Sequence, residues 1–406
     1  MKKSATKLIA MYFPQFHTIP ENDAWWGAGF TDWNNVRTAV KQFDEHNQPR
    51  IPCDGNYYDQ TDIKTLRWQI DLAKDHGIYG FCHYHYWFDG KQLLETPTNL
   101  ILDSKELDFP FCLSWANETW SRRWDGRDHH ILIQQTHVPD PEHWKRHYDY
   151  LIQAWMDPRS IKVEGKPVFV IYRPQTIARI DEMLAYWREL AKRDGLPGLY
   201  FIYQKQYELP NENCLKSFDA VFQFQPFEAS YRSPNEKRGI RNLRLFKIAK
   251  QVSTKLIRGM PEYFQDLMRD LKAKMINEIS FRDYDEIWNR IISVPKNPVL
   301  PTYPGAFVDW DNTARYGKRA TIYLGASPEN FRKWLARLLG TMPQRNLPED
   351  FIFLNAWNEW SEGAYLEPDE KHGYQYLEAV KQVLATRCQA TSVNPQSAEV
   401  FGGSVP

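Results

Sequence analysis

The stretch Trp357-Asn358-Glu359-Trp360-Ser361-Glu362-Gly363 sets two carboxylates three residues apart among indole rings. On a straight strand such a pair diverges. Where a strand gives way to a turn or helix, residues i and i+3 come within ~5–6 Å between Cβ atoms. Carboxyl groups that close can both reach one glycosidic linkage, as acid/base pairs in glycoside chemistry must. Neighbouring rings desolvate one of them and hold it protonated. Two Glu in a loop are ordinarily solvated; their place after the last apolar run, amid Trp357, Trp360 and Tyr365, favours chemistry here.

Other chemistry-bearing groups follow other apolar runs. Trp115-Ala116-Asn117-Glu118-Thr119-Trp120 carries a second Asn-Glu, so Glu118 is a possible partner of Glu359, a substrate-hydroxyl ligand or a structural carboxylate. In His83-Tyr84-His85-Tyr86-Trp87, alternation puts His83 and His85 on one side. No other run end offers a His or Cys cluster, so sugar contact or a structural hydrogen bond is favoured over a metal site. Asp309-Trp310-Asp311 matches the D-x-D pattern with which nucleotide-sugar transferases hold a divalent cation, but nothing upstream resembles a nucleotide-binding half. Trp310, Asp311 and Asn312 are read instead as substrate ligands, with Arg315 nearby. Trp26 and Trp33, with Trp25, form either a stacking wall or a loop packed down by its own rings. Tyr12, Tyr172, Trp357, Asn358 and Trp360 complete the expected substrate-binding set.

These residues need elements to position them. Eight apolar runs of strand length recur: Leu8–Phe13, Ile78–Cys82, Phe111–Trp115, Val168–Tyr172, Leu199–Tyr203, Ala220–Phe224, Val299–Tyr303 and Phe351–Ala356. Most lack strict alternation, as parallel strands covered on both faces should. Between them lie helical patterns at Thr61–His76, Pro141–Met156 and Ile177–Asp194, then one opened by Ser327-Pro328 and stopped before Gly340, and Tyr374–Leu384. The expectation is a single (β/α)8 barrel over residues 1–387, with its site at the C-terminal ends of the strands. An open doubly wound sheet would want G-x-G-x-x-G after its first strand, which is missing. An insertion at about 228–280 separates runs six and seven. Its stretch Arg232–Arg258 holds nine Lys/Arg against one acid, Glu236; it reads as a solvated helix, or as peripheral contact with an anionic glycan, lipid or partner. Residues 388–406 read as a disordered tail.

Composition narrows the partners. Lys+Arg and Asp+Glu both number 51 in 406 residues, so no charge excess points to nucleic acid. Aromatic residues make up 15% of the chain, more than a barrel core requires, and flat rings stack on sugar faces. Five scattered Cys form neither a disulfide framework nor a zinc motif. No signal-peptide core or ~20-residue membrane span is seen, so the chain reads as soluble and cytoplasmic.

Taken with the segment Met11-Tyr12-Phe13-Pro14-Gln15-Phe16-His17 through Trp25-Trp26-Gly27-Ala28-Gly29-Phe30-Thr31-Asp32-Trp33, and with Trp310-Asp311-Asn312-Thr313, these motifs resemble the WbsX-type family over about residues 7–386. Its members are often labelled glycosyltransferases of polysaccharide loci and are distantly similar to glycoside hydrolase family 99, the retaining endo-α-mannosidases and mannanases. The resemblance implies a (β/α)8 barrel needing no organic cofactor, and no metal is expected from the residues. It also implies that Glu359 deprotonates the sugar's own 2-hydroxyl for attack on C1, giving a 1,2-anhydro intermediate. Glu362 would protonate the leaving oxygen and then activate water or another acceptor. Ser361 stands where the mannosidases usually have His. Three functions are therefore expected in order: a retaining hydrolase or transglycosylase acting inside an α-linked polysaccharide, a glycosyltransferase of surface-polysaccharide assembly, and a glycan-binding protein without turnover.

Overall fold

The computed structural model describes residues 6–122, 127–206, 216–231, 279–293 and 300–392, the side chains of 128 and 387–392 excepted. Its centre is a parallel sheet that curls into a barrel. The strands are β1 (Lys7–Tyr12), β2 (Gly80–Phe88), β3 (Phe111–Trp115), β4 (Lys166–Ile171), β5 (Tyr200–Lys205), β6 (Ala220–Gln223), β7 (Thr302–Tyr303), β8 (Gly305–Phe307) and β9 (Phe351–Asn355). They pair in the order β7-β6-β5-β4-β3-β2-β1-β9-β8. The seventh stave is split: β7 pairs with β6, β8 pairs with β9, and Pro304 joins them. Backbone bonds from Val221 to the Pro301 carbonyl (2.9 Å) and from Phe353 to the Pro304 carbonyl (3.1 Å) carry the ring across this joint. Gly305 is required there, because a Cβ would sit 1.9 Å from the Gln223 carbonyl oxygen.

Helices cover the barrel. Ile63–Asp75 is capped by Asp62, whose side chain accepts from the Lys64 N–H. Pro141–Met156 packs on Ile180–Arg193, where the Trp187 indole donates to the Trp144 carbonyl at 2.9 Å. Pro328–Thr341 starts from the Ser327 cap. No helix of the described residues is long and apolar enough to cross a membrane.

Both strand faces are apolar, yet period-two alternation still sorts them. Ile9, Met11, Cys82, Tyr84, Cys112, Val170, Ile202, Phe222 and Phe353 fill the barrel interior. Leu8, Ala10, Tyr12, Phe81, Leu113, Trp115, Phe169, Phe201 and Leu354 pack outward against the helices.

Several boundaries differ from expectation. The second strand continues through Phe88, so His83 to Trp87 lie within it and not after it. Gly340 does not stop its helix, which continues to Thr341; a glycine inside a helix costs only about 1 kcal/mol relative to Ala. The last helix runs Gln375–Ser392, entering the stretch expected to be a disordered tail; 393–406 lie outside the described residues. Of the insertion, 232–278 also lies outside them, and with it the basic stretch. Its described flanks are a short helix, Phe227–Tyr231, and a strand, Ser280–Asp283, which pairs with Thr321–Leu324 and leads into the helix Tyr284–Ser293.

Candidate active site

After β9 the chain is pinned to β1. The Trp357 N–H donates to the Met11 carbonyl at 2.8 Å. The Asn358 side chain then clamps one residue, accepting from the Phe13 N–H (2.8 Å) and donating to the Phe13 carbonyl (2.9 Å). Asn358 and Glu359 bridge to Ala364 and Tyr365, and Trp360–Glu362 forms one 3-10 turn. In a 3-10 turn residues i and i+3 eclipse, so Glu359 and Glu362 come to the same side. Gly363 closes the turn at φ 69°, where a Cβ would meet the Asp311 nitrogen at 2.8 Å.

Arg315, on the short helix Thr313–Tyr316, joins the two acids. Its Nη1 lies 2.5 Å from Glu362 Oε1, and its Nη2 lies 3.0 Å from Glu359 Oε2 and 3.2 Å from Asp32 Oδ2. The guanidinium stands over the Phe13 ring, 5.0 Å from its centroid. Asp32 is fully buried and also accepts from the Ser361 hydroxyl (2.5 Å) and from Asn35 Nδ2 (2.9 Å). Three carboxylates thus share one cation in a buried space, and the cluster reduces its charge by keeping a proton. Burial pushes Glu359 up to about 8; Glu362 and Asp32 add to this while Arg315 opposes it. Burial raises Glu362 as well, against the pull of Arg315. The two acids titrate as a pair holding a proton at neutral pH. The Glu362 side chain is 19% exposed and that of Glu359 8%, so Glu362 is the one more open to an incoming group. Burial, and next the Glu359 charge, keep the phenols of Tyr84 and Tyr86 protonated, available to donate hydrogen bonds.

The expected site residues separate into groups. Glu359 and Glu362 are brought together, with Tyr86 facing them. Trp120 sits edge-on to Tyr86 (5.0 Å) and to Trp25 (5.9 Å), and Trp26 lies half-buried under the Arg122 guanidinium. Tyr172 directly follows the fourth strand, beside Arg173 (5.2 Å). Tyr12, His83, His85, Trp87, Trp115, Trp310 and Trp357 instead occupy the layer between barrel and helices or lie beneath it. Tyr12 donates to Gln69 at 2.7 Å, and His85 meets His147 ring nitrogen to ring nitrogen at 2.8 Å. Burial drives His83 and His85 down to about 3, so both are neutral. Trp33 and Trp360 are packed down together, while Trp25 and Trp26 are half-buried.

Further corrections concern the polar candidates. Asn117 and Asn358 spend their amides on backbone, the former on Arg173 N (2.8 Å) and O (2.9 Å). Glu118 pairs with Arg173 at 3.0 Å, whereas the groups acting on Glu359 are Arg315, Glu362 and Asp32. Asp311 is buried under His46 (2.9 Å), Gln48 (3.0 Å) and Thr313 (2.7 Å). Burial alone would raise its pKa, but those bonds and the Arg50 charge hold it well below the usual carboxylate range. Asp309 pairs with Arg50 at 2.8 Å, so both acids of the D-x-D stretch are committed to the fold. Asn312 accepts from the Thr321 N–H at 2.8 Å. Asp32 and Tyr84 were missed. Asp32 looks like an ordinary first-turn acid, but Tyr84 shares the parity of Tyr86 and could have been found from it.

Comparison with known proteins bears on the family and the fold. The family model described as Glycosyltransferase WbsX matches residues 8–380. The uncharacterized protein WxcX of Xanthomonas campestris pv. campestris, from two strains, is 37% identical over 383 residues, 93% of this chain and 49% of the relative. The chain therefore spans about half the length of the curated relatives it matches. A solved structure described as a glycoside hydrolase-like protein superposes with a TM-score of 0.55 at 14% identity, covering 95% of each chain. The family 99 endo-α-mannosidase of Bacteroides thetaiotaomicron superposes with a TM-score of 0.50 at 13% identity, covering 95% of this chain and 98% of that one. At such identities the likeness is one of fold.

Proposed function

The chain belongs to the WbsX glycosyltransferase family, a family of carbohydrate-active enzymes, and on that premise we propose that it is a retaining glycoside hydrolase or transglycosylase acting on internal α-linkages of a polysaccharide. The observation that carries this reading is the pair of buried acids, Glu359 and Glu362, held on one side of a turn by Arg315.

In the first step Glu359 removes the proton of the sugar's 2-hydroxyl, O2 bonds to C1, and the bond from C1 to the leaving oxygen breaks. Glu362 supplies the proton that this oxygen takes. In the second step Glu362, now a carboxylate, deprotonates water or an acceptor hydroxyl, which attacks C1. The C1–O2 bond opens and O2 recovers its proton from Glu359. Two inversions at C1 give net retention. The pair shares a proton, and this division of labour needs it on Glu362. A sugar hydroxyl donating to Glu359 favours the charged form of Glu359 and moves the shared proton across. In this reading Tyr84 and Tyr86 donate to sugar hydroxyls, and Trp25, Trp26 and Trp120 stack on sugar faces.

The family's description favours a second reading, transfer from a nucleotide sugar. The experiment that tests the first is incubation of the purified protein with α-linked oligosaccharides, with and without nucleotide sugars and divalent metal, followed by mass spectrometry. Shortened or rearranged products without nucleotide are expected. Products that only lengthen, and only with a nucleotide sugar, would replace hydrolysis by transfer.

A further inference from the structure

Glu367 is a buried acid that the chemistry above leaves unused. Three neutral donors from three parts of the chain converge on it. The Trp360 indole reaches Oε2 at 2.6 Å, the Tyr58 hydroxyl reaches Oε2 at 2.8 Å, and Gln69 Nε2 reaches Oε1 at 2.7 Å. Gln69 in turn accepts from the Tyr12 hydroxyl at 2.7 Å, and Asn358 Nδ2 lies 3.4 Å from the Tyr58 oxygen. The Trp357 indole N–H makes no bond of hydrogen-bond geometry, yet is near enough to favour charge on Glu367. The titratable groups facing Glu367 are Tyr12 and Tyr58, both kept neutral by burial. A buried carboxylate balanced by neutral donors alone is costly to keep. What it holds is the back of the turn, for Trp360 sits between Glu359 and Ser361.

We propose that Glu367 is a positioning residue that, as a carboxylate, fixes Trp360 and through it the catalytic pair. This rests on the roles given above to Glu359 and Glu362. A carboxylate has about four acceptor sites and three are filled, so an added proton either takes the free side of Oε1, where the neutral O–H accepts more weakly from Gln69, or displaces Tyr58 or Trp360 from Oε2. Burial, opposed by the three donors, raises Glu367 to about 7, so the change falls near neutrality. Stability and positioning then run in opposite directions. A carboxyl raised in the folded state stabilises the fold below its unfolded value of 4.5, and that contribution is lost as pH rises through 7. Over the same interval the ionised form holds all three donors at full strength and the turn tightens.

The test labels the full chain with 15N-tryptophan and follows the Trp360 indole resonance, assigned by its loss in Trp360→Phe. In the wild type it should be strongly deshielded and should titrate with a midpoint near 7; in Glu367→Gln, which keeps one acceptor oxygen for three donors, it should not titrate. On an oligosaccharide that the wild type turns over, Glu367→Gln should lower kcat by about 10²-fold, the cost of displacing catalytic groups by about 1 Å, with KM little changed. An indole resonance that is flat from pH 5 to 9 would overturn the proposal even if the variant failed to fold, as would a Glu367→Gln kcat within twofold of wild type. Lack of turnover by the wild type on every oligosaccharide would sink the hydrolase reading instead, leaving the indole titration to decide this one.

Discussion

The chain contains the same dipeptide twice at strand ends, and the two copies have been put to different use. After β3, Asn117 clamps the Arg173 backbone through its N–H and carbonyl at 2.8 and 2.9 Å; after β9, Asn358 clamps Phe13 through the same two groups at the same two distances. Each Asn ties the end of its own strand to the end of a neighbour, β3 to β4 and β9 to β1. The following Glu is where they part. Glu118 is 23% exposed and paired with Arg173, an ordinary partner in partial solvent. Glu359 is enclosed with two other acids around one cation, and burial raises it to about 8. The motif therefore builds a joint, and the surroundings decide whether the acid beside it does chemistry.

The largest effect that would sharpen this contrast is on turnover. Glu359→Gln and Glu362→Gln should each cut kcat by roughly 10²–10⁴-fold while circular dichroism stays native, since each removes one partner in proton transfer. Near-wild-type rates in both would move the chemistry elsewhere, with Glu118 next in line. Glu359→Gln should also change the pH dependence of stability. The raised Glu359 stabilises the fold below about 4.5 and this is lost as pH rises through 8, so the unfolding midpoint of the variant should fall less than that of wild type over that range.

Arg315→Met comes next. It leaves Asp32, Glu359 and Glu362 without their shared cation, so the pair should hold its protons to higher pH. The rise of kcat/KM with pH should shift upward, and its plateau should fall by roughly 10²-fold, as expected for loss of one charge-stabilising group. A pH–rate profile superimposable on wild type would show that the guanidinium is only a structural link.

Much of the fold could be read in the sequence because strand-length apolar runs separated by amphipathic helices admit few architectures. Which way each strand residue faces could not, because a parallel strand between two packed layers is apolar on both sides. That is why His83 and His85 drew attention while Tyr84 did not, although the interior belongs to Tyr84 and Tyr86 and the histidines face the helices. The split at Pro304 was hidden for a similar reason: two- and three-residue strands leave no periodicity to count. The Glu pair was legible because i, i+3 spacing means contact in either an α or a 3-10 turn. Asp32 was not, because its partners Arg315 and Ser361 lie about 300 residues away, and only closure of the barrel brings them together.

A smaller effect separates the two joints. In Asn358→Ala the Phe13 carbonyl keeps the Gln60 amide at 2.8 Å, and in Asn117→Ala the Arg173 carbonyl keeps Thr176. In each case the backbone N–H is stranded, at roughly 1–3 kcal/mol, and Asn117→Ala also takes the amide 3.1 Å from the half-buried His137 Nε2. Chemical denaturation should therefore give similar losses, the Phe13 site being the more buried and losing more. Turnover should fall only in Asn358→Ala. Equal losses of activity would mean that both joints serve the catalytic mouth.

The smallest effect expected is that of Glu118→Gln. The Glu118–Arg173 pair is 23% and 28% exposed, so solvent screens it and its removal should cost no more than about 1 kcal/mol. Gln can still accept from the Arg173 guanidinium, and the Asn117 clamp keeps the two strand ends together whatever the charge. Turnover within about twofold of wild type, beside a loss of orders of magnitude in Glu359→Gln, would establish that enclosure and company distinguish the two acids. A loss in Glu118→Gln that grows as the oligosaccharide is lengthened would instead place Glu118 on the substrate, as a ligand for a sugar beyond the cleaved bond. The difference between the two Asn-Glu copies would then be one of distance from the reaction, not of participation in the site.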